Sequence, residues 1–193
     1  MTDLLDDFEH PLQALLKILK NENIPHVIIG GLAVSQLSRP RLTADIDILT
    51  YLDDDSRIPK LIGSALSADF SLRIDDAEQF ARQNRVLLLI HNQTQIHVDV
   101  SLGLLPFERE VIERSSRVSV GEFQLPLPSV EDLIILKAVA HRRIDLQDIT
   151  NLVDAHHDLD RRRVKRIVAE FAEALEMPEI LQDVMAILEK SAT

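Results

Sequence analysis

The sequence contains no cysteine, which excludes disulfides and thiolate metal sites and fits a reducing compartment. It has no long hydrophobic run. The longest, Val86 to Ile90, falls far short of the roughly 20 residues that a membrane-spanning helix needs. Nor is there an excess of positive charge. Against 21 Lys and Arg stand 32 Asp and Glu, for a formal charge of −11, which argues against binding nucleic acid through the whole surface. The opening Met1-Thr2-Asp3-Leu4-Leu5-Asp6-Asp7 lacks the basic start and apolar stretch of a secretory leader. No internal repeat or low-complexity linker is visible. These absences predict a cytoplasmic protein with no membrane partner.

What is present is ordinary in bulk: 193 residues, 46% hydrophobic and 27% charged, enough for a core with a small helical extension or for two small lobes. The character changes near residue 128. Residues 1–128 read as a mixed α/β lobe and residues 129–193 as a helical lobe. In the first lobe, Leu12, Leu15, Leu16 and Leu19 recur on one face of a helix over 11–22, and His26-Val27-Ile28-Ile29 reads as a buried strand. Further strands are predicted over 43–50, 70–74, 86–91 and 95–101, with helices over 32–37, 56–68 and 76–83. Asn92-Gln93-Thr94 joins two of these strands as a hairpin and another hairpin is predicted around Gly121; the stretch just after Pro106 has no clear pattern. In the second lobe, Ser129 with Asp132 resembles a helix cap, and helices are expected over 145–155, 160–176 and 178–190.

The informative segment runs from Gly30 to Ile48. Asp45 and Asp47 stand two apart in an apolar strand, so both face the same way, with Cα atoms about 6.5–7 Å apart. Two carboxylates among Ile and Leu repel one another and lose solvation, and a divalent cation supplies the missing charge. Asp99 stands in a similar context, Ile96-His97-Val98-Asp99-Val100. If its strand lies beside the first, three carboxylates meet. Together with phosphate oxygens, three carboxylates suit a pair of magnesium ions, with manganese as an alternative. Gly30 and Gly31, at the start of a helix, let backbone amides approach a phosphate. Each feature alone has a plainer reading: a solvated Asp-x-Asp edge, a turn, a strand end. The combination in this order does not.

Gly30-Gly31, a short helix, Asp45-Ile46-Asp47 and the later Asp99 together resemble the signature of the polymerase-beta-like nucleotidyltransferase superfamily. That resemblance implies a mixed β-sheet nucleotidyltransferase core with flanking helices, followed by a helical C-terminal lobe. It also implies transfer of a nucleotidyl group from a nucleoside triphosphate, with Asp45, Asp47 and Asp99 holding the metals. Leu127 to Ile149, which contains Lys137, Arg142, Asp145 and Asp148, resembles a second-lobe motif of the AbiEii-like toxin group. There, a lysine contacts the triphosphate and an arginine and an acidic pair follow. By that likeness Gly30, Gly31, Lys137 and Arg142 bind nucleotide, Asp145 and Asp148 match the acidic pair, the acceptor is RNA or protein, and an antitoxin protein is a partner. Ile144 stands where the group often has lysine, and Gly31 where many relatives have serine. Two other outcomes stay open: transfer to a small molecule of the antibiotic type, and a non-catalytic nucleotide-binding regulator.

Lys137, among Leu133, Leu136 and Ala140, either packs its stem with its ammonium in solvent or aims it at an anion. Arg161-Arg162-Arg163-Val164-Lys165-Arg166 is either a phosphate-backbone patch for RNA or the solvated face of a helix. His156 and His157 point apart and suit a helix end better than zinc. His97 shares a strand face with Asp99, and His141 neighbours Arg142. Asp53-Asp54-Asp55 reads as the cap of the helix that follows.

Overall fold

A computed structural model describes residues 8–120 and 123–190. The order of elements is α1 (Glu9–Asn21), β1 (His26–Ile29), α2 (Gly30–Leu37), β2 (Asp45–Tyr51), a 3-10 turn (Asp55–Arg57), α3 (Ile58–Leu66), β3 (Phe70–Leu72), α4 (Ala77–Asn84), β4 (Val86–His91), β5 (His97–Gly103), α5 (Pro106–Glu113), β6 (Ser116–Val120), β7 (Phe123–Leu127), α6 (Val130–Ala140), α7 (Arg143–Ala155), α8 (Arg161–Ala174) and α9 (Pro178–Lys190). These form two compact units. One is Met1–Leu32 with Leu42–Leu127, the other Ala33–Arg41 with Pro128–Thr193.

The first unit is built on a five-stranded sheet in the order β1-β2-β5-β4-β3. β2 and β5 run parallel, and every other pairing in this sheet is antiparallel, so the sheet is mixed. Over 45–48, 86–91 and 97–100 its strands alternate. Ile46, Ile48, Leu87, Leu89, Val98 and Val100 are all fully buried, each burial contributing about 1.5–3 kcal/mol before entropy is charged against it. The residues between them, including Asp45, Asp47, Leu88 and Asp99, retain solvent contact. One face is therefore core and the other accessible, and α3, α4 and α5 pack against β3, β4 and β2. β6 and β7 form a separate hairpin that packs on β1. Its expected turn at Gly121 lies outside the described residues.

Most boundaries agree with the sequence to within two or three residues. The helix that starts at Gly30 follows β1 without a gap. The cap expected among Asp53–Asp55 is Asp54, which accepts from the Ser56 amide at 2.8 Å. α5 has no counterpart in the sequence reading. Pro106 sits in its first turn, and Glu108 accepts from the amides of Leu104 and Leu105 at 2.8 Å each, satisfying donors that a helix start leaves open.

The second unit is helical. Ser129 caps α6 by accepting from the Asp132 amide at 3.1 Å, and Asp160 caps α8 through the Arg163 amide at 2.9 Å. α6 is buried on most sides, with Leu133, Ile134, Ile135 and Ala138 at zero exposure. No helix among the described residues is long and apolar enough to cross a membrane.

Candidate active site

Asp45 and Asp47 lie on β2, two residues apart on the accessible face. The parallel register sets Asp47 directly opposite Asp99 of β5, and Asp45 opposite the exposed His97. Neighbouring strands are separated by about 4.8 Å, so the three aspartates occupy adjoining positions on one side of the sheet. Ile29 of β1 flanks Asp47 on its other side. Gly30 follows immediately, with φ of +65°, and a Cβ there would stand 1.8 Å from Oδ2 of Asp47. The glycine is required by the carboxylate itself, in addition to any phosphate it meets.

The side chains hold internal partners. Thr43 donates its hydroxyl to Oδ1 of Asp45 at 2.9 Å. Arg73 donates to Oδ1 of Asp99 at 2.5 Å, an ion pair with both groups about one-third exposed (27% and 32%). Among the described residues no group of three or more His, Asp or Glu side chains is arranged to hold a metal ion. The donor chemistry still suits a hard divalent cation: carboxylates on neighbouring strands, open to solvent, one of them packed against the bare Cα of Gly30. Backbone and residue types fit such an ion; Oδ1 of Asp45 and Oδ1 of Asp99 as they stand are turned to Thr43 and Arg73.

Thr43 and Arg73 were not singled out from the sequence. Arg73 lies past the end of β3, but its amide donates to the Leu88 carbonyl at 3.1 Å, and Leu88 pairs with Asp99. It thus continues a row across the sheet through Leu88, Asp99, Asp47 and Ile29. A long side chain reaches over Leu88 to the third carboxylate. Only the register of three strands reveals this, and no local pattern encodes it.

The remaining expected residues lie in the second unit. Lys137 is aimed at an anion, but the anion is protein. The residue is 5% exposed, and its ammonium stands 2.9 Å from both Oδ1 of Asp145 and Oδ2 of Asp148. A buried ammonium between two buried carboxylates serves as their counter-ion. Arg142, by contrast, has a largely exposed side chain (68%) and donates from Nε to Oδ2 of Asp145 at 2.7 Å. The same Oδ2 accepts from the Arg142 amide at 3.1 Å and so caps α7. Burial pushes the Asp145 carboxyl up, but the hydrogen bonds from Arg142 and Lys137 outweigh it and hold the group below the usual carboxylate range. Asp148 is held mainly by charge, with Nε of Arg41 at 3.1 Å; its oxygens make no well-directed hydrogen bond among the described residues.

The basic run on α8 is largely engaged. Arg163 donates to buried Asp132 at 2.7 Å, Arg166 to Glu170 at 2.9 Å, and Arg161 to the Leu188 carbonyl. His156 ends α7 and contacts the Leu37 carbonyl at 2.5 Å. His141 ends α6 in a left-handed conformation and contacts Asp183 at 3.0 Å.

A family model described as a nucleotidyltransferase of unknown function, DUF6036, matches residues 6–183. The chain belongs to the DUF6036 nucleotidyltransferases. It is thus an enzyme of the nucleotidyltransferase class. No curated protein sequence matches it. Among solved structures, the solution structure of the antibiotic-resistance factor ANT(2'')-Ia is similar to this DUF6036 chain with a TM-score of 0.59 at 16% identity, over 87% of this chain and 92% of that one. The lincomycin-bound lincosamide antibiotic adenylyltransferase LnuA gives 0.51 at 16% identity, over 75% and 96%. An antigenic nucleotidyltransferase-like protein from Paracoccidioides brasiliensis gives 0.51 at 16%, over 96% and 94%. At these identities the likeness shows the nucleotidyltransferase fold.

Proposed function

We propose that this chain transfers a nucleotidyl group from a nucleoside triphosphate to an acceptor hydroxyl, using Asp45, Asp47 and Asp99, in the cytoplasm. The observation that carries this reading is the pairing of Asp47 with Asp99 in parallel register, with Asp45 two residues along on the same accessible face. Magnesium bound there would neutralise phosphate charge and lower the pKa of the acceptor hydroxyl. Asp45 and Asp47 would hold the magnesium ions beside the triphosphate. Asp99 completes that set and takes the proton from the acceptor oxygen. As that oxygen bonds to the α-phosphorus, the bond to the leaving pyrophosphate breaks and its electron pair departs with it. The backbone amides of Gly30 and Gly31, at the start of α2, suit the phosphate oxygens. The nucleotide contacts expected of Lys137 and Arg142 would require their cationic groups to leave Asp145 and Asp148, on which they sit.

Replacing Asp45 or Asp99 by Ala should abolish label transfer from a nucleoside triphosphate while circular dichroism and melting remain those of the parent. Retained transfer in both variants would refute the assignment.

Two acceptor classes draw on different observations. The AbiEii-like stretch Leu127 to Ile149 supports RNA or protein as acceptor, with an antitoxin as partner. The inward engagement of Arg161 and Arg163, together with a charge of −11, favours a small acceptor, cationic rather than polyanionic. The antibiotic-modifying proteins of similar fold lend support to the second class. The size of the labelled product formed in cell extract separates them.

A further inference from the structure

Asp99 carries a cation of its own. The guanidinium of Arg73, 2.5 Å from Oδ1, comes from two strands away and is directed at the member of the triad that the proposed reaction asks to release an oxygen. A guanidinium stays charged throughout the accessible pH range, so it cannot give way by losing a proton; it has to move. Both partners are partly open to water, which permits the exchange. An incoming triphosphate offers the planar guanidinium a pair of oxygens in place of the carboxylate it leaves.

Resting on the proposed function, we propose that Arg73 is a displaceable counter-ion. It neutralises Asp99 before a divalent cation binds, and it passes to the phosphate oxygens once nucleotide is present. Metal alone therefore competes with an internal cation, and nucleotide relieves the competition. Ion and nucleotide bind cooperatively through one side chain.

The test is a titration of the full chain with Mn2+, followed by the electron paramagnetic resonance of the free ion, with and without a non-hydrolysable triphosphate. Arg73→Gln should bind Mn2+ alone about two- to five-fold more tightly than the parent, the range expected when an exposed pair is removed. The analogue should then strengthen Mn2+ binding less in the variant than in the parent. Arg73→Lys, which keeps the charge, should behave like the parent. Equal or weaker Mn2+ binding by a folded Arg73→Gln would overturn the proposal and make Arg73 a positioning residue for Asp99. If neither parent nor variant binds Mn2+, even with the analogue, the assignment of the carboxylates falls as well. The two failures are thus distinguishable.

Discussion

Gly30 combines a φ of +65° with a Cβ position 1.8 Å from Oδ2 of Asp47. A methyl group there meets two obstacles: the left-handed backbone, worth about 1–2 kcal/mol for a non-glycine residue, and a carboxylate that must move aside. Gly30→Ala should therefore lower the urea midpoint by an amount in that range or more, and reduce nucleotidyl transfer by a larger factor than the stability loss explains. An unchanged midpoint with full activity would mean that Asp47 does not occupy this position. The sequence marks Gly30 and Gly31 as candidates but assigns them to phosphate. The carboxylate neighbour comes from the pairing of Ile29 with Asp47 across two strands, a relation that no spacing along the chain expresses. Arg73 is less legible still. It stands in a polar stretch after a three-residue strand, and its meaning depends on β4 lying between it and Asp99.

Elements differ in how openly they declare themselves. β2, β4 and β5 alternate buried and accessible residues, and their apolar sets are readable at a glance. α5 buries only Val111 among its eight residues, so its periodicity is too thin to read; its start is set by Pro106 and Glu108. α6 presents the reverse difficulty. It is apolar on nearly every side, so its two buried charges, Asp132 and Lys137, cannot be assigned to an inner or outer face from spacing. Each proves to have a partner: Arg163 for Asp132 and the pair Asp145 and Asp148 for Lys137. Lys137→Met keeps the stem's volume but leaves two buried carboxylates short of a cation, a loss of about 3–5 kcal/mol when one member of a buried pair is removed. Urea unfolding at neutral pH measures it. A variant as stable as the parent would return Lys137 to a role outside the core.

Across the whole molecule the same cluster sets a response to acid. Asp145 is held below the usual carboxylate range in the folded chain, so on acidification the unfolded chain takes up the proton first. Its contribution is complete above the ordinary carboxylate pKa of about 4 and is lost as pH falls through the lower, folded value. The stability gap between the parent and Lys137→Met should therefore be full from neutral pH down to about 4 and shrink over the acid range below it. A gap that stays constant over that span would show that the ion pair is not its source.

The parallel pairing of β2 with β5 also bears on how the molecule comes into being. α3, β3, α4 and β4 all intervene between the two strands. A chain emerging from the ribosome carries Asp45 and Asp47 well before Asp99 exists to stand beside Asp47. Until β5 has slotted in beside β2, Asp45 and Asp47 share a strand with no third carboxylate opposite Asp47. The row of three aspartates is thus complete only once residue 99 of 193 has been made, and a fragment ending before β5 holds two of its members without the third.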